Sequence, residues 1–323
     1  MALLWKPLLA ATLKPGADLS ALPYPLYGSP KIDGFRAMVQ NGVVVSRKGL
    51  PIRNKAVQEI FGHNNEYEGL DGELIIGKPY GDDTFNRTTD KGLGVNNGSE
   101  AAAKHFEKHG AFWFFDFKPC ALNTGHAFAS DDLDFEARLL KCIPENGAWV
   151  DQGVHGYLRV VEQTLIRTAA QLEKFEAKCL AKGYEGVMLR KSTSGVYPQK
   201  PGKDNRSTLR EFDLVKLKRF EYALATIYDF HMLEHNVNEA KTAAGKRSSA
   251  KAGIVVDEHC VGSATLVSKQ FGKFTISVPT NLLREKGLVW WAKQRGKAVR
   301  FKYQVAGTKD KPRIPICGFK ELL

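Results

Sequence analysis

Over the first two thirds of the chain, short apolar stretches alternate with amphipathic ones. Residues 37–45 (AMVQNGVVV) set Asn-Gly between two apolar runs, the pattern of a two-residue hairpin turning at Asn41–Gly42. Leu70–Ile76 and Ala111–Phe117 read as buried strands, the second because five of its seven residues are large aromatics. Leu172, Phe175, Cys179 and Leu180 space residues 171–182 as a helix, and Gly183 suits the position just past a helix end. Gly186–Arg190 and Leu214–Leu217 are again strand-like. Between them Thr193–Arg210, rich in Ser, Gly, Pro and Lys, reads as a loop.

The last third has another texture. Tyr222–Phe230, Val261–Val267, Phe274–Val278 and Ala298–Val305 are short β segments, with one amphipathic helix, Asn281–Arg295, between the third and fourth. Strands interrupted by a single helix fit a small Greek-key barrel of the OB type, a fold often used to hold nucleic acid. Residues 238–253 are Ala-, Ser-, Gly- and Lys-rich and read as a basic loop. The change of texture places a domain boundary near Lys218–Glu221, giving units 1–218 and 219–323.

Charge sharpens this division. Of 323 residues, 43% are hydrophobic and 25% charged, a globular composition, with a net charge of +12. Residues 1–216 hold 28 basic against 26 acidic side chains, whereas 217–323 hold 19 against 9. A basic excess concentrated in one domain points to a polyanionic partner, above all nucleic acid; a merely soluble basic surface is the competing account. No apolar run approaches a membrane span, no secretory leader is read, and five cysteines without CxxC spacing suit a reducing cytoplasm better than a disulfide scaffold.

Candidate chemistry begins at Lys31-Ile32-Asp33-Gly34-Phe35-Arg36. A nucleophilic lysine must shed its proton, which nearby cations and desolvation favour, and an arginine five residues on could grip a phosphate. A surface turn with a Lys–Asp pair would carry the same hexapeptide. In order after it come Ser46-Arg47-Lys48-Gly49, Leu70-Asp71-Gly72-Glu73-Leu74, Phe114-Phe115-Asp116-Phe117, Glu185-Gly186-Val187-Met188-Leu189-Arg190 and Leu214-Val215-Lys216-Leu217-Lys218. Lys216 and Lys218 alternate along a strand and so point the same way.

With these segments in this order, the chain resembles the compact ATP-dependent DNA ligases of phages and bacteria, within the covalent nucleotidyltransferases. The Lys31, Glu73, Phe115, Glu185 and Lys216 segments are similar to that group's motifs I, III, IIIa, IV and V. Pro312-Arg313-Ile314-Pro315 is similar to an abbreviated last motif. The resemblance implies an α+β fold: a nucleotidyltransferase domain with antiparallel sheets and flanking helices, then an OB-fold β-barrel that binds DNA. It implies a monomer that uses ATP and Mg²⁺ (Mn²⁺ substituting) to seal 5′-phosphate/3′-hydroxyl nicks in double-stranded DNA. An RNA ligase, a GTP-using capping enzyme and a non-catalytic OB-type nucleic-acid-binding protein are the alternatives.

The same resemblance implies roles residue by residue. Lys31 would carry AMP, with Lys216 and Lys218 as catalytic cations beside it. Pro30, Ile32, Arg36, Glu73, Phe115, Met188 and Arg313 would join these lysines in binding ATP, Glu73 at the ribose, Phe115 and Met188 on the two faces of adenine. Arg36, Ser46, Arg47 and Arg206 would hold the DNA 5′-phosphate, and Glu185 and Glu73 the metal. Three departures stand out. Ser29-Pro30 occupies the place where many relatives carry an adenine-reading Glu, Asp204-Asn205 interrupts the approach to Arg206, and the last motif leaves only Lys309, Lys311 and Arg313 as cations.

Overall fold

The computed structural model describes residues 5–14, 16–63, 67–81, 83–89, 98–118, 134–142, 156–193, 205–239, 250–305 and 310–322. Lys309, the Gly202–Asp204 approach and the centre of the 238–253 loop lie outside them. The chain divides into two compact units between Lys218 and Arg219.

In the first unit the elements run β1 (Ala11–Thr12), β2 (Leu26–Pro30), β3 (Phe35–Gln40), β4 (Val43–Ser46), α1 (Lys55–Phe61), β5 (Leu70–Ile76), α2 (Thr84–Thr89), α3 (Glu100–His109), β6 (Gly110–Phe117), α4 (Phe135–Cys142), β7 (Leu158–Val160), β8 (Thr164–Ile166), α5 (Ala169–Ala181), β9 (Val187–Lys191) and β10 (Val215–Leu217). They form two five-stranded sheets, ordered β4-β3-β5-β6-β7 and β1-β10-β9-β2-β8. Pairing is antiparallel except β6 with β7 and β1 with β10. The β3–β4 turn has positive φ at both Asn41 (53°) and Gly42 (69°), the mirror-image turn that matches strand twist. Its two N–H groups donate to the Glu68 carboxylate at 2.7 and 3.0 Å. The first sheet buries Phe112, Phe114 and Leu74 against Phe61 of α1 and Phe106 of α3. The second packs Leu26, Val187, Leu189 and Val215 against Leu172 and Cys179 of α5. Asn54, Ser99 and Thr168 cap α1, α3 and α5, each accepting an N–H of the first turn.

One irregularity matters for function. β5 and β6 pair Gly72 with Phe114 but Asp71 with Asp116, so Phe115 is an extra residue on β6. Such a bulge re-aims the side chain it carries.

The second unit holds β11 (Phe220–Asn236), β12 (Ile254–Ser268), β13 (Gly272–Ser277), α6 (Asn281–Arg284), α7 (Gly287–Ala292), β14 (Ala298–Gln304) and β15 (Arg313–Cys317). The sheet is antiparallel in the order β13-β12-β11-β14-β15. No ladder joins its two edge strands among the described residues; instead Lys311 donates to the carbonyls of Phe271 (3.2 Å) and Lys273 (2.6 Å), tying the β15 side to β13. The expected single helix 281–295 is two short ones, parted at Glu285–Lys286. Trp291 is fully buried in the core and donates its indole N–H to Leu283 O at 2.9 Å across that break. β11 and β12 are longer than their apolar patterns, because pairing from His231–Ser263 out to Asn236–Ile254 is held by backbone bonds. No helix of the described residues is long and apolar enough to cross a membrane.

Candidate active site

Lys31 follows directly on β2. Its N–H donates to Gly186 O (2.8 Å) while Glu185 N–H donates to Lys31 O (3.2 Å), so the two segments lie side by side. Gly186 makes this possible: its φ is +149°, and a Cβ there would collide with Leu217 O. β10 can therefore run close against the start of β9. The result is a buried carboxylate between two ammonium groups, with Lys31 Nζ on Glu185 Oε2 and Lys218 Nζ on Oε1. Gly34 has a similar role, since a Cβ there would strike Ile75 Cδ1 and Leu74 O. The chain after Lys31 is thus pressed onto β5, which carries Glu73.

A cavity of about 200 Å³ opens between the two sheets. Pro30, Lys31, Ile32, Met188 and Lys216 reach it from the β2–β9–β10 side, and Arg36, Glu73 and Phe115 from the β3–β5–β6 side. Met188 pairs in register with both Ser29 and Lys216. Arg36 pairs with Glu73.

The electrostatics separate two carboxylates. Burial pushes Glu185 up, but Lys31 and Lys218 more than offset it and hold the carboxyl down at about 2. Burial raises Glu73 to about 7, with Arg36 and Lys31 countering incompletely and Asp71 and Asp33 adding repulsion. Glu73 Oε2 is buried without a hydrogen-bond partner among the described residues. Burial lowers Lys216, helped by Lys218 and Lys31; burial and Lys31 lower Lys218, against the pull of Glu185. The protons of Lys216 and Lys218 are thus easier to remove than those of an ordinary lysine.

The remaining expected residues fall into distinct surroundings. Arg36 is gripped at both ends of its fork by Asp71 (2.5 and 2.6 Å) and lies 4.7 Å over the Phe115 ring. Arg47 and Arg206 are exposed and line the cavity; the Arg206 side chain donates to Ala10 O at 3.4 Å. Ser46 is buried and its Oγ accepts from Leu50 N–H, so it shapes the turn that presents Arg47. Arg313 lies on β15 of the second unit, while every residue lining the cavity belongs to the first. Lys311, another of the expected phosphate cations, donates its ammonium to the carbonyls of Phe271 and Lys273. Glu185 stands just before β9.

Sequence reasoning missed one wall of the cavity, made by Tyr27, Phe135, Gln163 and Arg190. Arg190 was visible as the last residue of the Glu185 segment. Phe135 carried no signal, since it precedes a short helix and belongs to no pattern until the chain folds.

A magnesium site was expected at Glu185 and Glu73. No group of three or more His, Cys, Asp or Glu clusters as a metal cage among the described residues. Mg²⁺, however, characteristically takes one or two carboxylates and completes its shell with phosphates and water. Glu185 and the orphaned oxygen of Glu73 fit that donor set.

No family model and no curated protein matches the sequence. Solved structures do. The chain is similar to a structure described as "DNA binding with a minimal scaffold: Structure-function analysis of Lig E DNA ligases", with 20% identity, 96% of this chain and 97% of that one covered, and a TM-score of 0.64. The fold is that of the Lig E DNA ligases. A Chlorella virus DNA ligase-adenylate has 27% identity over 98% of this chain and 97% of its own, with a TM-score of 0.49. An ATP-dependent DNA ligase from bacteriophage T7 in complex with ATP has 15% identity, 97% coverage of each chain and a TM-score of 0.45.

Proposed function

We propose that the chain is an ATP-dependent DNA ligase that seals nicks through a covalent Lys31–AMP intermediate. The observation that carries this reading is a cavity lined by Lys31, Lys216, Glu73, Phe115 and Met188, with Glu185 pairing Lys31 to Lys218 beside it.

In the first step the Lys31 amine, having released a proton, bonds to the α-phosphorus of ATP as the bond to pyrophosphate breaks. Lys216 and Lys218 neutralise charge on the phosphate oxygens, the dominant requirement of such a transfer. Phe115 and Met188 take the two faces of adenine, and Glu73 accepts from the ribose. Pro30 and Ile32 border the same nucleotide. Glu185 and Glu73 would hold Mg²⁺, which would supply Lewis-acid neutralisation of phosphate charge. In the second step a DNA 5′-phosphate oxygen displaces Lys31 from the adenylyl phosphorus, and the lysine recovers a proton. In the third the nick's 3′-hydroxyl attacks the 5′-phosphorus and AMP departs. Arg47 and Arg206, exposed at the rim and without carboxylate partners among the described residues, receive the 5′-phosphate together with Arg36. Residues 1–218 act as the adenylyltransferase domain and 219–323 as the basic OB domain that engages nicked duplex DNA. Arg313 serves the first step from that domain, and the enzyme works as a monomer in the cytoplasm.

The test is incubation with α-labelled ATP or GTP and Mg²⁺, followed by a chase with nicked DNA or nicked RNA. Label bonded to protein from ATP, absent from Lys31→Arg and discharged by nicked DNA, is the expected result. Labelling from GTP alone, or ligation from ATP by Lys31→Arg, overturns the proposal.

A further inference from the structure

Beneath the wall that sequence reasoning missed lies a second buried carboxylate. Asp116, adjacent to Phe115 on β6, accepts from Arg138 of α4 through Nε (2.8 Å) and Nη2 (3.1 Å), and from Arg190 of β9 through Nη1. All three side chains are almost fully buried. Arg190 stacks 4.3 Å over the Phe135 ring, Phe135 meets the Tyr27 ring edge-on at 5.7 Å, and the Tyr27 hydroxyl donates to Glu136 at 2.7 Å. Tyr27 and Arg190 are register partners on β2 and β9, and Glu136 N–H donates to Ser192 O at 3.1 Å.

Asp116 and Arg190 belong to different sheets, and no strand ladder connects those sheets among the described residues. The two sheets nevertheless carry the opposite faces of the cavity. Phe115 is one residue from Asp116. Met188 is two residues from Arg190, on the same side of its strand. The Asp116 carboxylate is thus a cross-link that lies one residue from Phe115 and, through Arg190, joins the strand that carries Met188, the two groups between which a flat base would lie.

We propose that Asp116 is a positioning residue for the nucleobase: by holding Arg190 and Arg138 it fixes the spacing between Phe115 and Met188. This rests on the nucleotide reading above and adds that base affinity, rather than phosphate affinity, depends on the cross-link. The phosphate end is built around a different carboxylate: Glu185 pairs with Lys31 and Lys218, whereas Asp116 pairs with Arg138 and Arg190.

Calorimetric binding of ATP and of inorganic tripolyphosphate, which lacks a base, separates the two ends. In Asp116→Asn, ATP affinity should fall at least tenfold toward that of tripolyphosphate, whose own affinity stays within twofold of wild type. Asp116→Glu, which keeps the charge but lengthens the tie by a methylene, should show the same selective loss, at least threefold, and decides the matter if the Asn variant does not fold. Equal losses for both ligands, unchanged ATP affinity, or failure of both variants to fold would overturn the proposal in favour of a purely structural cluster. A wild-type protein that binds ATP no better than tripolyphosphate would instead overturn the nucleotide reading beneath it.

Discussion

Asp116 and Glu185 are both buried carboxylates held by two cations, and both are pulled down to about 2 against the opposing effect of burial. They differ in the cations. Asp116 has two guanidiniums, planar and permanently charged; Glu185 has two ammonium groups, compact, rotatable and able to lose a proton. The first arrangement cannot change state at any ordinary pH and so can only hold position. The second can exchange partners or protons, as the proposed reaction requires. One cavity therefore borders on a fixed clamp, through Arg190, and a labile one, through Lys31, and the choice of Arg or Lys distinguishes them. Glu73 completes the contrast as a carboxylate with insufficient compensation, left near neutrality of charge at about 7.

The comparison can be broken most forcefully at the fixed clamp. Arg138→Met leaves Asp116 with one guanidinium and should cost roughly 3 kcal/mol, read as a drop in the urea midpoint, because truncating a buried ion pair strands charge. Lys218→Met at the labile clamp should act on rate instead, slowing transfer of AMP to Lys31 by roughly 10²-fold, as loss of one transition-state donor does, with a much smaller change in unfolding. Finding the two effects interchanged would undo the distinction.

The remaining outcomes concern pH. Glu73 has a folded value of about 7 against an ordinary 4.5. A carboxyl raised on folding contributes stability that is complete below the unfolded value and lost as pH rises through the folded one. Glu73→Gln removes that loss, so its melting temperature relative to wild type should climb between pH 4.5 and 7, by the equivalent of on the order of 2 kcal/mol. A flat difference would show that Glu73 is compensated. Asp116 and Glu185 have the opposite sign, lying below ordinary values of 3.8 and 4.5. Their contribution is full above those values and disappears as pH falls toward about 2. Acid unfolding should begin in that window, and Asp116→Asn should flatten its steepest part. The smallest expected effect lies in the other unit: Lys311→Ala, which removes two donations across the sheet edges, should cost about 1 kcal/mol in thermal unfolding.

Local pattern carried several elements of the first unit. The Asn41–Gly42 hairpin, the Leu70–Ile76 strand and the helix ending before Gly183 form where their spacing puts them. Each depends on contacts within a dozen residues, or on a burial pattern that any neighbour would satisfy. The 281–295 helix failed as one piece because Trp291 reaches back to Leu283 O, a contact no periodicity encodes. The long β11–β12 hairpin exceeded its apolar signal because backbone pairing continues where one face no longer needs burying.

The resemblance carried by the ordered motifs nominated Lys31, Glu73, Phe115, Glu185, Lys216 and Lys218; side-chain type alone says only which groups could serve as nucleophile, acid or cation. What those groups face was decided only by the folded chain. Gly186 admits Leu217 to within backbone contact and so delivers Lys218 to Glu185; the Phe115 bulge aims a ring that would otherwise have no assigned direction; Asp71 takes up Arg36, while Arg47 and Arg206 stay open at the rim. The Asp116 cross-link joins residues 22 and 74 positions apart. Charge pairing at such separations depends on where two sheets meet, a relation set by packing in three dimensions and carried by no segment of the sequence alone.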